Sequence, residues 1–403
     1  MRILTGYLDG LDAQLAPITA TANGGGSFQL HGLVASAGRE TRVRARSALI
    51  EAGMRFPACV VRVGESYQDT LRGSSFDLGL AVAVHHVEEP EAAPPGDAPV
   101  LFLAELGLDG TLRPVRGALA ICEAAQTAGV ERVYCATGNR REVAASGLQA
   151  LDARNVGQVL ADLDPREDYS LFPYQGPISS TRKVDTLQWA DLPDTLVELV
   201  APAAAEALER GVPLLLVGPP GSGKTMAARR IPALMGALSD EECLDVTRIY
   251  SGAGLLGTDG LFPDTRPFRA PHHTISQVGI IGGGSPSPRP GELTLAHHGV
   301  LYLDELAEFR RNVLEAVVQT HRDSEAQIWR TRKLYRFPGK PLLVGATHPC
   351  PCGFKGSSHR LCQCSAEQVE RYWGRLAPFL ALDPVRVEVG DWPRPQPSTQ
   401  PPL

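Results

Sequence analysis

The sequence predicts an α/β protein in two parts, and three features of the chain support that fold class. An apolar run over residues 212–217 leads directly into a glycine-rich loop and then into a helical pattern. Strand, loop and helix patterns alternate from about residue 190 to residue 388, which predicts a parallel sheet with crossover helices. A Pro/Gly/Ser-rich bridge over residues 172–180 separates this region from an N-terminal part with its own helices and strands.

The N-terminal part shows both helical and strand patterns, which predicts an α/β domain of its own. Apolar residues recur at helical spacing over residues 41–52 and 118–128, whereas residues 58–63 and 99–103 are typical of short strands. A polar stretch rich in Glu and Pro, residues 88–97, indicates a loop. The predicted organisation is a domain over residues 1–171, a linker over 172–190, a second domain over 191–388 and a proline-rich tail over 389–403.

Composition sets limits on the class of protein. The chain has 403 residues, enough for two or three domains, and its 43% hydrophobic and 21% charged residues are ordinary for a globular protein. The net charge of −6 provides no overall basic field, so contact with DNA would need a local patch or a ring of subunits. No secretory signal opens the chain and no apolar stretch approaches about 18 residues, so we expect a cytoplasmic protein without a membrane span.

The glycine-rich loop matches the complete pattern G-x-x-x-x-G-K-[ST] between a strand and a helix, which predicts binding of a nucleoside triphosphate. Its glycines let successive backbone N–H groups face a phosphate chain. We expect Lys224 to reach the β- and γ-phosphates, Thr225 to hold Mg²⁺, and a helix from Met226 to point its positive end at the anion. The predicted phosphate-binding residues are Gly218, Pro219, Pro220, Gly221, Ser222, Gly223, Lys224 and Thr225.

Downstream, an apolar strand over residues 300–303 ends in Asp304 and Glu305. Such a strand alone is weak support for a site, because many buried strands end in a solvated acidic turn. Together with the phosphate loop, it predicts an ATPase in which Asp304 binds Mg²⁺ and Glu305 orients the attacking water.

Four of the eight cysteines are clustered, which favours a metal site in a reducing compartment over a disulfide framework. Two C-x-C pairs separated by a loop can supply four thiolates to a tetrahedral ion, most naturally a structural Zn²⁺ without an open position. His359 lies between the pairs and could replace one sulfur, and the alternative interpretation is four reduced thiols in a surface loop. The candidate ligands are Cys350, Cys352, Cys362 and Cys364.

The region between the phosphate loop and the Asp-Glu pair contains three characteristic segments. They read Arg-Pro-Phe-Arg-Ala-Pro-His-His-Thr-Ile-Ser over residues 266–276, Gly-Gly-Gly-Ser over 282–285 and Pro-Arg-Pro-Gly-Glu-Leu-Thr-Leu-Ala-His-His-Gly over 288–299. The N-terminal part contains further short motifs, such as Gly-Leu-Asp-Ala at 10–13 and Arg-Ala-Arg-Ser-Ala at 44–48. On these segments and motifs, the chain resembles the ComM/YifB family of magnesium-chelatase-like AAA+ ATPases over most of its length.

The resemblance implies a ribosomal S5/Lon-protease-like N-terminal domain followed by a P-loop AAA+ domain. It also implies a hexameric ring and, by analogy with the best-known branch of the family, a DNA branch-migration helicase. A Lon-type protease would need a serine and a lysine, but Leu119 stands at the place of the lysine, so we interpret Ser75 as a turn hydroxyl.

The departures from the family pattern all concern hydrolysis. The family's Ala-Ala-Met-Asn-Pro segment reads Gly-Ala-Thr-His-Pro, so His348 replaces an asparagine that would help hold the attacking water and is a candidate catalytic residue with Glu305. Leu382 stands where the family has an arginine that would reach the γ-phosphate bound by a neighbouring subunit. Arg375 or Arg386 could take that place only if this chain were shifted in register against the family motif. Residues 192–199 lack the family's adenine-binding Val-x-Gly-Gln word, and a proline-rich tail stands where the family's C-terminal helical lid is expected.

Three hypotheses follow. The first is an ATPase that binds ATP and Mg²⁺ and hydrolyses ATP slowly. It would work as a ring of its own copies or together with a full-length paralogue, and DNA is the candidate polymer on which it would act. The second is a nucleotide-binding regulator without useful turnover, and the third is a chelatase motor subunit.

Two groups of basic residues have both a nucleic-acid interpretation and a structural one: Arg266, Arg269, His272, His273 and Arg289 in the segment between the motifs, and Arg330, Arg332, Lys333 and Arg336 downstream.

Overall fold

The computed structural model describes residues 1–24, 26–65, 71–92, 96–177, 189–256, 262–263, 265–285, 287–330, 333–356 and 360–390. His359, Arg332 and the predicted tail beyond residue 390 lie outside these ranges. The chain forms two compact units, residues 1–181 with 243–263 and residues 182–242 with 264–403. Among the described helices, none has the length and apolarity that a membrane crossing requires.

The first unit is built on a seven-stranded mixed sheet with five main helices. The strands of this sheet are β1 (Arg2–Asp9), β2 (Asp12–Ala22), β3 (Gln29–His31), β4 (Cys59–Val63), β5 (Pro99–Leu103), β8 (Arg132–Ala136) and β9 (Gln149–Ala153). Two further strands, β6 (Glu105–Leu106) and β7 (Leu112–Arg113), pair with each other. The helices of the unit are α1 (Ala35–Glu51), α2 (Asp77–Glu88), α3 (Ala118–Thr127), α4 (Arg140–Ala145) and α5 (Val156–Leu163). These elements confirm the helices predicted near residues 41–52 and 118–128 and the strands predicted at 58–63 and 99–103.

The order of strands in this sheet is β3-β4-β2-β1-β5-β8-β9. Strands β1 and β2 are antiparallel, as are β2 and β4, whereas β1, β5, β8 and β9 run parallel to one another. Helices α1, α2 and α5 bury their apolar faces in one core, and α3 and α4 bury theirs in a second core formed with Leu101 and Leu103 of β5. The first unit therefore has helices on both faces of its sheet.

The hydroxyl of Ser75 has a structural partner. It donates to the carbonyl oxygen of Gly6 at 2.6 Å, and Ser75 is only 8% exposed. Leu119 of α3 is fully buried. This arrangement agrees with the interpretation of Ser75 as a turn hydroxyl, because its proton is committed to the backbone.

Residues 243–263 belong to the first unit although they follow the phosphate loop in sequence. They include most of α9 (Asp240–Ala253). The guanidinium of Arg248 donates to both carboxylate oxygens of Glu123, at 2.7 and 3.0 Å. Ser251 accepts a hydrogen bond from the backbone N–H of Gly117 at 2.9 Å and donates to Glu142. These contacts explain why residues 243–263 belong to the first unit. The N-terminal domain predicted from the sequence, residues 1–171, did not include them.

In the described part of the chain, the second unit contains a five-stranded parallel sheet, two antiparallel sheets of two strands each and nine α-helices, of which α9 is shared between the units. Its strands are β10 (Leu214–Val217), β11 (Phe268–Arg269), β12 (Gly282–Gly283), β13 (Arg289–Pro290), β14 (Val300–Leu303), β15 (Glu325–Arg330), β16 (Lys333–Pro338), β17 (Leu342–Thr347) and β18 (Val385–Glu388). The helices other than α9 are α6 (Asp194–Arg210), α7 (Lys224–Ala228), α8 (Ile231–Leu234), α10 (Gln277–Ile281), α11 (Glu292–Leu295), α12 (Arg311–Asp323), α13 (Ala366–Gly374) and α14 (Ala377–Leu380).

The main sheet of this unit has the order β11-β14-β17-β10-β18, and all of its paired strands are parallel. Because side chains alternate along a strand, Leu214 and Leu216 pack with α6–α8, whereas Leu215 and Val217 pack with α10–α14. The phosphate-loop strand β10 lies inside the sheet, next to β17. This mixed α/β architecture with parallel strands confirms the predicted fold class, and it brings the carboxyl ends of β10, β14 and β17 to one edge.

Candidate active site

The phosphate loop connects β10 to α7, and its glycines satisfy specific geometric demands. Gly221 and Gly223 have φ angles of 80° and 83°, in the left-handed region that favours glycine. A Cβ on Gly218 would lie 2.3 Å from the carbonyl oxygen of Val389, so no side chain fits there. Helix α7 begins at Lys224, two residues before the predicted start at Met226.

The side chain of Lys224 folds back onto its own loop. Its Nζ donates to the carbonyl oxygens of Gly218 and Pro219 at 2.8 Å each and lies 3.4 Å from Ser222 Oγ. Lys224 is only 7% exposed, and this burial lowers the pKa of its ammonium to about 8, opposed by the charge of Asp304. The backbone carbonyls therefore hold the ammonium where a phosphate chain would compete for it.

We expect the affinity for ATP to fall as pH rises through about 8. Below the lowered pKa of Lys224 the side chain is charged and attracts phosphate, and above it the free chain must take up a proton to bind, which costs about tenfold in affinity per pH unit. Isothermal titration calorimetry in buffers of different ionisation enthalpy measures that proton uptake. The control is Lys224→Arg, whose guanidinium stays charged and should flatten the pH profile. A parent affinity that is constant across this range would contradict the expectation.

The two predicted halves of the nucleotide site meet at Thr225. Its hydroxyl donates to Asp304 Oδ2 at 3.0 Å and lies 3.0 Å from the hydroxyl of Tyr302. The other oxygen of Asp304 accepts from the backbone N–H of Glu305 at 2.9 Å. A threonine hydroxyl beside a carboxylate is an oxygen donor set that suits Mg²⁺, so both predicted ligands fit that ion.

Tyr302 was not among the predicted site residues. Side chains alternate between the two faces of a strand, so Tyr302 of β14 lies on the same face as Asp304. This alternation could have predicted Tyr302 as a site residue from the sequence. Burial raises the pKa of Tyr302, so its hydroxyl keeps its proton and can share a hydrogen bond with Thr225.

Glu305 follows Asp304 with its backbone in the left-handed region, at φ 51°. Its side chain is 51% exposed, and its Oε2 lies 3.1 Å from Nδ1 of His273. The structure therefore assigns the predicted catalytic carboxylate a partner that sequence analysis treated only as a basic residue of the intervening segment.

His348 follows β17, and its side chain reaches the phosphate loop. Its Nδ1 lies 3.0 Å from the carbonyl oxygen of Gly218 and donates to it. Its backbone N–H donates to the hydroxyl of Tyr372 at 3.3 Å, and Thr347 shares that hydroxyl at 2.9 Å. No local sequence pattern pointed to Tyr372, because it comes from α13 and reaches His348 only through the packing of that helix.

A cleft of about 370 Å³ collects most of the predicted site residues. Gly218 and Pro219 lie on the other side of the loop, where they contact Lys224. The predicted residues that line the cleft are Pro220, Gly221, Ser222, Gly223, Lys224, Thr225, Asp304, Glu305 and His348.

The four clustered cysteines also come together. Their sulfur atoms lie within 4.8 Å of one another, and Cys350 Sγ is 3.4 Å from Cys352 Sγ and 3.6 Å from Cys362 Sγ. A tetrahedron of sulfurs about 2.3 Å from a zinc ion has edges of about 3.8 Å, so the cluster fits that ion closely. Backbone N–H groups, first that of Phe354, lower the pKa of Cys352 to about 6, whereas burial and hydrogen bonds to the neighbouring sulfurs raise the pKa values of Cys362 and Cys364. In the metal-free cluster the thiolate is therefore favoured at Cys352. Cys364 completes the set.

Leu382, which stands where the family resemblance implies an arginine finger, makes core contacts in this structure. Leu382 packs against the apolar cluster that contains Phe379. The two proposed substitutes are exposed arginines: Arg375 lies 3.7 Å from the Glu308 carboxylate, and Arg386 lies over the ring of Trp373 at 4.7 Å. The substitution of either arginine for the missing finger stays a prediction.

Two of the basic residues between the motifs have structural partners. Arg266 forms hydrogen bonds to both carboxylate oxygens of Glu242 at 3.0 and 2.9 Å, and Arg269 binds Glu292 at 2.6 and 2.7 Å. These bidentate pairs favour the structural interpretation for both arginines over a role in lining a pore.

The family profile described as "Magnesium chelatase, subunit ChlI" matches residues 200–391, and that described as "Subunit ChlI of Mg-chelatase" matches residues 19–139. The competence protein ComM of Haemophilus influenzae is 34% identical over 398 residues, covering 94% of this chain and 74% of that protein. The chain belongs to the ComM/YifB family.

Other family members are similar over the same extent. The uncharacterized protein YifB of Salmonella typhimurium is 34% identical over 388 residues, which cover 94% of this chain and 74% of that protein. An uncharacterized protein of Mycobacterium tuberculosis is 35% identical over 390 residues, 94% of this chain and 75% of its own length.

Proposed function

We propose that this ComM/YifB family member is a magnesium-dependent ATPase. The observation that carries the proposal is the 3.0 Å hydrogen bond between Thr225 and Asp304, which joins the phosphate loop to the Asp-Glu pair at one cleft. Lys224 and Glu305 line the same cleft. Phosphoryl transfer depends mainly on positioning and charge neutralisation, and this arrangement can supply both.

Binding would begin with the phosphate chain replacing the backbone partners of Lys224. The N–H groups of the loop and the start of α7 face the anion, and the freed ammonium binds the β- and γ-phosphates. Thr225 and Asp304 would hold Mg²⁺, which neutralises charge on the phosphates when bound.

Hydrolysis would use Glu305 and His348. Glu305 orients the attacking water and accepts its proton, and His348, held next to the loop by Gly218, gives that water a second hydrogen-bond partner. We propose that this chain works in a ring, with its own copies or with a paralogue. In a ring of its own copies Leu382 offers no positive charge to the neighbouring site, whereas a paralogue could contribute an arginine. An arginine finger contributes about 10³–10⁵-fold to kcat in GTPases, so hydrolysis by the isolated chain would be slow.

The second candidate function is a nucleotide-binding regulator without useful turnover. The apolar contacts of the partly buried Leu382 favour it, because this side chain packs against the core and carries no charge for a neighbouring phosphate. An intact Glu305 favours the ATPase, because nucleotide binding alone does not require it.

We propose DNA as the polymer on which the ATPase acts, with the hairpin β15–β16 as its contact. Trp329 of this hairpin is 70% exposed and pairs across the strands with Leu334, while Ile328 and Phe337 are buried beneath it. An exposed aromatic ring beside cations such as Arg330 is the combination by which proteins stack on and neutralise single strands. The name of the Haemophilus relative, a competence protein, is compatible with this proposal.

The test of the function is steady-state ATP hydrolysis by the purified chain, with and without Mg²⁺. Turnover that requires Mg²⁺ supports the ATPase, and tight ATP binding without turnover supports the regulator. Single- and double-stranded DNA are then added, with heparin at equal charge as the control. Stimulation by DNA but not by heparin supports action on DNA, and no effect of either DNA contradicts it.

We also propose that the four-cysteine cluster holds a structural Zn²⁺ in a cytoplasmic protein, since its four sulfur atoms lie within 4.8 Å of one another and clustered thiols are typical of reducing compartments. We expect about one zinc per chain by metal analysis, and its loss on replacing Cys350 and Cys364 with serine, because two thiolates cannot hold the ion tightly. The matched control is Cys243→Ser, outside the cluster, which should keep the metal. Absence of zinc from parent protein expressed with ample zinc would contradict the proposal.

A further inference from the structure

The cysteine turn, residues 348–353, carries the first cysteine pair and touches the phosphate loop at two points. Nδ1 of His348 donates to the carbonyl oxygen of Gly218 at 3.0 Å. Five residues later, Gly353 lies so close to Pro220 that a Cβ on Gly353 would be 2.9 Å from Cδ of that proline. Both ends of the cysteine turn therefore contact the loop that is proposed to bind the nucleotide.

These two contacts lie at points that determine the shape of the phosphate loop. The ring of Pro220 is rigid, and the residue after it, Gly221, has the left-handed backbone that bends the loop. The carbonyl oxygen of Gly218 also accepts from Lys224 Nζ, at 2.8 Å. A shift of the cysteine turn would therefore move both the backbone N–H groups of the loop and the partner of its lysine.

The middle of the cysteine turn belongs to the four-cysteine cluster. The sulfur atoms of Cys350 and Cys352 lie 3.6 and 3.7 Å from Cys362 Sγ. The backbone N–H of Gly353 donates to the carbonyl oxygen of Cys350 at 2.9 Å, so the cluster also places the residue that meets Pro220. Four sulfurs bound to one metal ion form a rigid unit. Without the ion no bond joins the two cysteine pairs, and a second thiolate beside the first would be repelled.

We propose that the cysteine turn positions the phosphate loop, so that binding of metal by the cluster and binding of nucleotide by the loop strengthen each other. This inference rests on the proposed ATP and zinc sites, and it adds a regulation of the ATP site that neither proposal contains. Coupling between two sites of one protein changes affinity by about 5- to 150-fold and is reciprocal. We expect each ligand to change the affinity for the other by about 10-fold.

The first experiment measures this reciprocity in the full chain. The dissociation constant for a fluorescent, non-hydrolysable ATP analogue with Mg²⁺ should be about 10-fold larger for the chelator-stripped chain than for the zinc-loaded chain. The dissociation constant for zinc, measured by competition with a chromogenic chelator, should fall by the same factor when the analogue is present. Lys224→Ala is the control, because a chain that binds the analogue poorly should keep its zinc affinity when the analogue is added.

The second experiment tests the contact itself in zinc-loaded protein. Gly353→Ala and Gly356→Ala impose similar backbone strain, since both glycines have left-handed φ angles, 82° and 83°. In the described part of the chain, no atom lies within 4 Å of the place of a Cβ on Gly356, whereas a Cβ on Gly353 would meet Pro220. We expect Gly353→Ala to weaken binding of the analogue by about 10-fold more than Gly356→Ala does. Both variants should keep about one zinc per chain.

The outcomes separate this inference from the proposals on which it rests. Equal affinity for the analogue in the zinc-loaded and stripped chains, or in the two alanine variants, overturns the coupling and leaves the ATPase and the zinc site standing. A parent chain that binds no zinc overturns the zinc site and this inference with it. A parent chain that does not bind the analogue overturns the proposed function.

Discussion

Replacing Lys224 with alanine should weaken ATP binding by at least about 100-fold, because a buried ammonium paired with phosphate contributes several kcal/mol. Alanine leaves the carbonyls of Gly218 and Pro219 without their donor but also removes a charge that is costly to bury, so we expect little change in the thermal midpoint. Equilibrium binding of a fluorescent ATP analogue measures the loss.

The control for the loss of positive charge is Arg229→Ala. Arg229 is exposed at the end of the same short helix and does not line the cleft, so its removal should leave binding nearly unchanged. If Lys224→Ala bound ATP as tightly as the parent, the assignment of the phosphate loop would be wrong.

Replacing Glu305 with glutamine should reduce turnover by about 10²–10⁴-fold while ATP still binds, because the amide keeps the shape of the side chain but cannot accept the proton of water. The side chain is half exposed and contributes no core contact, so the fold should be unaffected. Steady-state release of phosphate gives the loss of turnover, and binding of the ATP analogue shows that the site is intact.

Glu308→Gln is the matched control for Glu305→Gln. Glu308 is an exposed carboxylate in the same turn, 3.7 Å from Arg375, and it lies outside the cleft. Its neutralisation should leave turnover close to that of the parent. Equal turnover by Glu305→Gln and the parent would remove Glu305 from the proposed mechanism.

The phosphate loop could be predicted from the sequence because its determinants are local. The apolar strand, the glycines that permit left-handed backbone at residues 221 and 223, and the helix that begins at Lys224 are consecutive in the chain. The same is true of the strand that ends before Asp304 and of the paired cysteines. Short-range patterns of this kind depend on where glycines occur and on the spacing of apolar residues, and both can be read from the sequence.

The partners of these residues could not be predicted in the same way. Sequence analysis left the histidines between the motifs with two interpretations, and the structure brings His273 to Glu305. Tyr372 reaches His348 from a helix that follows the cysteine loop. Arg266 and Arg269 bind glutamates rather than remaining available for a polymer.

The grouping of residues 243–263 with the N-terminal unit shows the same limit at a larger scale. The sequence determined the fold class, the phosphate loop, the Asp-Glu pair and the membership of the family. Only the tertiary structure decided which carboxylate faces Thr225, which faces a histidine, and which unit receives α9. The physical reason is that a motif is specified by neighbouring residues, whereas a contact between distant side chains exists only after the sheets and helices that carry them have packed.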